Sequence, residues 1–203
     1  MKKVSYNLRI GIVGIKDYNK EIFLDNLGDF SIDTKISEEY TEFLIIFKQI
    51  PIRVKIFLAT NLEEVIRDFD KIEMLDAIIL TIDVKDTKSI YHYYKNIIEE
   101  FNDIYYFQGI SMLVGIDSSQ IFKKKASKKI RVSRYSLEDT AKYLKLIYCY
   151  EIYNKKGDVI EIYKKLFNDF IFRFRYSSQD LFEKAKLYGE SILREENKKM
   201  NFL

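Results

Sequence analysis

Apolar positions recur along this chain in two rhythms, alternating or continuous over short runs and every three to four residues over longer ones. From Leu8 an apolar run reaches Gly14, and a polar loop then leads to Asn19-Lys20-Glu21. An amphipathic helix carrying Ile22, Phe23, Leu24 and Leu27 follows. Residues 28–40 show no periodicity and read as a loop. Two apolar strands at 42–49 and 53–60 flank a turn around Ile50-Pro51-Ile52, which predicts an antiparallel hairpin. Leu62, Val65, Ile66, Phe69 and Ile72 recur at helical spacing, and 77–82 (AIILTI) is a continuous run expected of a strand buried on both faces.

A helix from about Thr87 places Ile90, Tyr94, Ile97 and Phe101 on one side, and 110–114 is the next strand, ending in Gly115. After a basic polar segment, Ser136-x-x-Asp139 resembles a capping box opening a short helix with Leu137, Ala141 and Leu144 inward. A last strand at 147–152 precedes a long helix over 158–174. A final helix from Gln179 aligns Leu181, Ala185, Tyr188 and Ile192. That apolar stripe must be covered, by its own domain or by a partner. Strands alternating with helices predict parallel pairing in an α/β sandwich of three layers.

Composition narrows the function classes. With 203 residues, one proline and seven glycines there is room for one sizeable core and little material for a linker. The net charge of +3 is too small to argue for nucleic acid. The basic run from Lys123 to Arg131 has no interleaved aromatics and reads as a solvated surface loop. Cys149 is the only cysteine and His92 the only histidine, which excludes a disulfide framework and a multi-histidine metal centre. His92, in an Ile/Tyr-rich helical stretch, reads as structural. No apolar signal core follows the basic start, Lys2 rules out myristoylation, and no run reaches the roughly 18 apolar residues of a membrane span. A cytoplasmic protein without a stable membrane anchor is therefore expected.

The chemistry-bearing stretch is Gly14-x-x-x-x-Asn19-Lys20-Glu21, set between a strand and a helix. A phosphate-binding P-loop has the form G-x-x-x-x-G-K-[ST] in that setting. Three further stretches align with motifs of one family. Leu58-Ala59-Thr60-Asn61-Leu62-Glu63-Glu64 sits where the family has Asp-x-x-Gly-Gln-Glu-Glu. Gly115-Ile116-Asp117-Ser118-Ser119 sits where it has Gly-Asn-Lys-x-Asp, and Glu151-Ile152-Tyr153-Asn154-Lys155 where it has Glu-Thr-Ser-Ala-Lys. In this order, with this hairpin, the chain resembles the Ras-superfamily small GTPases from about Leu8 to Phe174. The resemblance implies an α/β, three-layer P-loop NTPase domain at 1–176. Its sheet would have about six mostly parallel strands with one antiparallel edge strand, and 177–203 would be a C-terminal helical extension.

The departures from the family pattern change the expected function. Glu21 replaces the hydroxyl that ligates magnesium and sets a carboxylate beside any polyphosphate. One such like-charge pair at 4 Å costs up to about 4 kcal/mol at an effective dielectric of 20. Leu58 replaces the aspartate that partners magnesium, Asn61 the glycine that senses the γ-phosphate, and Leu62 the water-positioning glutamine. Ser119 replaces the guanine-reading aspartate and Ile116 its supporting asparagine. Thr34 is the candidate switch threonine. What remains for nucleotide or phosphate binding is vestigial: Gly14, Asn19, Lys20, Glu21, Ser119 and Lys155. Lys20 has a second reading, its ammonium satisfied internally by the carboxylates of Asp17 and Glu21. No catalytic or metal-ligating residue is expected, since hydrolysis by the family mechanism depends on the lost positioning groups. The resemblance thus implies a pseudo-GTPase without a cofactor that binds protein partners, a related GTPase or a second copy included. The alternative is a GTP- or GDP-binding switch with magnesium in a non-standard site. Family members present effectors on the hairpin, which makes Phe43, Ile45, Phe47, Arg53, Lys55 and Phe57 the partner-binding candidates.

Overall fold

A computed structural model describes residues 3–15, 17–61, 64, 75–86, 107–117, 131–153 and 156–195. Its elements are β1 (Tyr6–Val13), α1 (Asp17–Gly28), β2 (Asp33–Ile36), β3 (Thr41–Phe47), β4 (Ile50–Ala59), β5 (Ala77–Asp83), β6 (Ile110–Ile116), α2 (Arg134–Tyr143), β7 (Tyr148–Ile152), α3 (Gly157–Ser177) and α4 (Gln179–Glu195). The helices expected at 62–72 and from Thr87, with His92 and most of the basic run, lie outside the described residues.

The strands form one seven-stranded sheet in the order β2-β3-β4-β1-β5-β6-β7. β4, β1, β5, β6 and β7 pair in parallel, while β3 is antiparallel to both β2 and β4. This corrects the expectation of about six strands with an antiparallel strand at the edge. The antiparallel strand is internal, and β2 forms the edge beside it. β2 escaped notice because all four of its residues are exposed. A strand held by ladder hydrogen bonds alone leaves no hydrophobic alternation to read.

The hairpin turn also falls elsewhere than expected. It is Lys48-Gln49, with φ of 49° and 67°, the left-handed pair that a two-residue hairpin favours. Pro51 belongs to β4, opposite Ile46, and the β1 ladder begins only at Ile52. Its missing N–H therefore leaves no ladder position unfilled.

Helices cover both faces of the sheet. On one, Ile22, Phe23 and Leu27 of α1 and Ile162, Tyr163, Leu166, Phe167 and Phe170 of α3 pack on Leu8, Ile10, Ile12, Val54, Ile56 and Ile79. Burying each such side chain stabilises the fold by roughly 1.5–3 kcal/mol. The Tyr163 hydroxyl, inside this cluster, donates to the Phe23 carbonyl at 3.0 Å. On the other face Leu137, Ala141 and Leu144 of and beside α2 meet Ile78, Leu80, Ile82 and Leu113. β5 and β6 are buried at every position, as continuous apolar runs require. The N-cap of α2 is Ser133, whose hydroxyl accepts from the Ser136 N–H, so the helix starts a turn earlier than the Ser136 capping box predicts.

The final helix folds back on its own domain. Ala185 is buried in the main core, and at Gly189 α4 meets the hairpin so closely that a Cβ would lie 1.9 Å from the Gln49 carbonyl oxygen. No helix among the described residues is long and apolar enough to cross a membrane.

Candidate functional site at the carboxyl ends of the parallel strands

The carboxyl ends of β1, β4, β5, β6 and β7 lie side by side, where open α/β sheets bind ligands. At the centre, Val13 ends β1 and α1 already begins at Asp17. The expected loop reaching Asn19-Lys20-Glu21 is therefore absent. These three residues belong to the first turns of the helix, with Asn19 and Lys20 only 2% and 4% exposed and Glu21 exposed. Without glycine at 19, nothing favours holding the backbone open, and Asp17 suits the positive end of a helix.

Lys20 is turned inward. Its Nζ lies 3.0 Å from Asp17 Oδ1 and donates to the Ala59 carbonyl at 3.4 Å. Of the two carboxylates weighed from sequence, the ion pair is with Asp17, one helical turn back. Gly14 is held from the other side, its N–H donating to the same Ala59 carbonyl at 3.0 Å. A Cβ on Gly14 would sit 2.0 Å from Thr81 Oγ1. The Thr81 hydroxyl in turn donates to the Val13 carbonyl at 3.0 Å and is buried. Gly14 is thus required by packing against β5.

The neighbouring aligned positions make contacts within the protein. The Asn61 side chain accepts from the Glu64 N–H at 2.8 Å, and Glu64 Oε2 accepts from the Thr60 N–H at 2.7 Å. These two hydrogen bonds tie Glu64 to Thr60 and Asn61, the latter aligned with the family's γ-phosphate-sensing glycine. Leu58 is exposed at the end of β4. Asp117, aligned with the lysine of the family's base-reading motif, is fully buried with Oδ2 3.6 Å from Lys85 Nζ. Asp83 Oδ1 accepts from the Lys85 N–H at 2.9 Å, tying the end of β5 to the same residue. Ser119 and Lys155 lie outside the described residues. Thr34 is in β2, its hydroxyl 2.7 Å from that of Ser31.

Beside β7, Arg131, the last cation of the basic run, is ion-paired with Glu151 and lies over the Tyr153 ring at 4.9 Å. Next to them Cys149 lines a cavity of about 220 Å³ with Leu137, Glu138 and Tyr150. Burial pushes its thiol up to about 11, with the Glu138 carboxylate adding to the shift.

The hairpin candidates separate by strand alternation. Phe43, Ile45 and Phe47 are 3%, 0% and 2% exposed and point into the main core, so they are not available to a partner. This corrects their assignment to a binding surface. Arg53, Lys55 and Phe57 face the other way and line a groove of about 790 Å³ together with Arg9, Tyr40 and Glu42. Glu42 accepts from Arg53 Nη1 at 2.9 Å and lies 3.6 Å from Lys55 Nζ, which sits 4.3 Å over the Tyr40 ring.

The roles of Thr81, of the Asn61–Glu64 hydrogen bond and of the Lys85–Asp117 pair were missed from sequence. Only Thr81 left a signal, as the lone hydroxyl inside the apolar run AIILTI. Scanned against protein-family models the chain matches none, and no curated protein matches it.

Proposed function

We propose that this chain is a pseudo-GTPase: a P-loop NTPase-type, small-GTPase-like domain that binds no nucleotide and acts by holding protein partners. Support for the fold type comes from the strand order with its internal antiparallel strand and from the motif alignment. The observation that carries the functional reading is Lys20, buried and spent on Asp17 and the Ala59 carbonyl. Phosphate capture would require it to exchange both contacts for a ligand that Glu21 and Asp17 repel. Neither GTP hydrolysis nor a cofactor belongs to this reading. The partner, a related GTPase or a second copy, is offered the face bearing Arg53, Lys55 and Phe57, and the protein works in the cytoplasm without a membrane anchor or nucleic acid.

The test is direct. Protein purified without added nucleotide is denatured and the supernatant assayed for guanine nucleotide, and GTP and GDP are then titrated with magnesium by calorimetry. The expected result is a blank in both. Stoichiometric GDP, or sub-micromolar binding lost in Lys20→Met, would establish instead a switch in which the first turn of α1 opens to release Lys20.

A further inference from the structure

We infer that β2 is a dimerisation edge, at which a second copy of this chain adds its own β2 antiparallel, about a two-fold axis at Thr34. This goes beyond the reading of the Gly14–Lys20 region and uses a different surface from the Arg53 face.

The inference starts from which backbone groups β2 turns outward. The Ser37 N–H donates to the Tyr40 carbonyl at 3.0 Å and closes the β2–β3 hairpin. Antiparallel ladders alternate bonded and non-bonded pairs, so Lys35–Glu42 and Asp33–Leu44 are the next bonded pairs toward β3. The N–H and C=O groups of Thr34 and Ile36 then point to the open edge. Ile32 spends its N–H on the Leu44 carbonyl at 2.7 Å, so the open run is Asp33–Ile36. All four of its residues are exposed, Ile36 by 82%.

The charges on this run select one partner and one register. Only residues with outward groups bond across a new ladder, so a symmetric pair must be centred on an outward-facing residue or between two of them. Centred on Thr34, the two Thr34 residues exchange both hydrogen bonds, and Asp33 of each copy lies opposite Lys35 of the other. Centring on Lys35 would pair Thr34 with Ile36 and satisfy the bonds, but it sets lysine against lysine; centring on Asp33 sets aspartate against aspartate and needs the Ile32 N–H, already spent on Leu44. The sequence Asp33-Thr34-Lys35 is thus its own complement when reversed. The pair would join two seven-stranded sheets edge to edge and remove the exposed edge from both. A ladder of three residues on each strand, Asp33–Lys35, places the complex in the weak, transient class, forming and parting with concentration.

Sedimentation velocity over a concentration series of the full chain tests the proposal, with charge variants at exposed positions that leave the core untouched. Wild type is expected to show a concentration-dependent monomer–dimer equilibrium. Asp33→Lys and Lys35→Asp are each expected to weaken it about tenfold, because two attractive pairs become two repulsive ones. An equimolar mixture of these two variants is expected to dimerise again, since one carries only lysines and the other only aspartates at the paired positions. Thr34→Pro, which removes the outward N–H at an edge that tolerates proline, should abolish the dimer while the melting curve stays cooperative. A wild type monomeric up to about 1 mM overturns the proposal. So does a dimer whose affinity ignores these substitutions, or a mixture that fails to restore pairing.

Discussion

Substituting Gly14 by alanine separates a packing glycine from a phosphate glycine. The added Cβ would lie 2.0 Å from Thr81 Oγ1, where 3.4 Å is an ordinary contact, and Thr81 has little room to withdraw. Its backbone is paired with Val114 of β6, its side chain is β-branched, and its hydroxyl is committed to the Val13 carbonyl. Forcing a methyl into such a site costs about 1–3 kcal/mol. Rotating Thr81 away would forfeit its hydrogen bond as well, a further 0.5–1.5 kcal/mol or so. Gly14→Ala should therefore lose roughly 2–4 kcal/mol, with a fall in Tm on the order of 5–15 °C for a domain of this size. Urea unfolding of the nucleotide-free protein reads it directly. The decisive variant is the pair Gly14→Ala with Thr81→Ala, in which the obstructing oxygen is gone. The double variant should be more stable than the sum of the single losses predicts by at least about 1 kcal/mol. A silent Gly14→Ala, or losses that add within about 0.5 kcal/mol, would refute the argument that Gly14 is kept for its contact with β5.

Two further predictions address the ends of the fold. Gly189→Ala drives a methyl to 1.9 Å from the Gln49 carbonyl oxygen, a backbone atom that cannot swing aside, so α4 must lift from the hairpin. Hydrogen exchange in α4 should accelerate while the central strands stay protected, and unchanged α4 protection would contradict the docking. Cys149, its thiol raised from 9.0 to about 11 by burial, should alkylate at pH 8 roughly a hundredfold more slowly in the native than in the unfolded chain. The sign for stability follows: the native state favours the protonated thiol, so this contribution is intact below pH 9 and is lost as pH rises toward about 11. Equal native and unfolded alkylation rates would contradict its burial.

The physical signals that the sequence carries strongly are those of burial. The continuous apolar run at 77–82 marked β5 as a doubly covered strand, and helical spacing of Ile162, Leu166 and Phe170 marked the inward face of α3, because each reflects water excluded along one element. The order of strands and helices then implied an α/β sandwich, and the replacement of motif residues at 21, 58, 61 and 119 could be read residue by residue. Features held by backbone pairing or by long-range contact were not legible. β2 is exposed and owes its existence to β3, and the Lys48-Gln49 turn is stabilised by the hairpin it closes. The same limit governs the candidate site. Lys20 had two readings in the sequence, outward to an anion or inward to a carboxylate, and the choice depended on where α1 begins and on the Ala59 carbonyl 39 positions away. In the sequence Gly14 reads only as a phosphate-loop glycine, and its close contact with Thr81, 67 positions on, emerges from the tertiary structure. Whether Phe43 or Arg53 faced outward depended on which side of the sheet α1 and α3 cover, a choice the alternating pattern leaves open and packing decides.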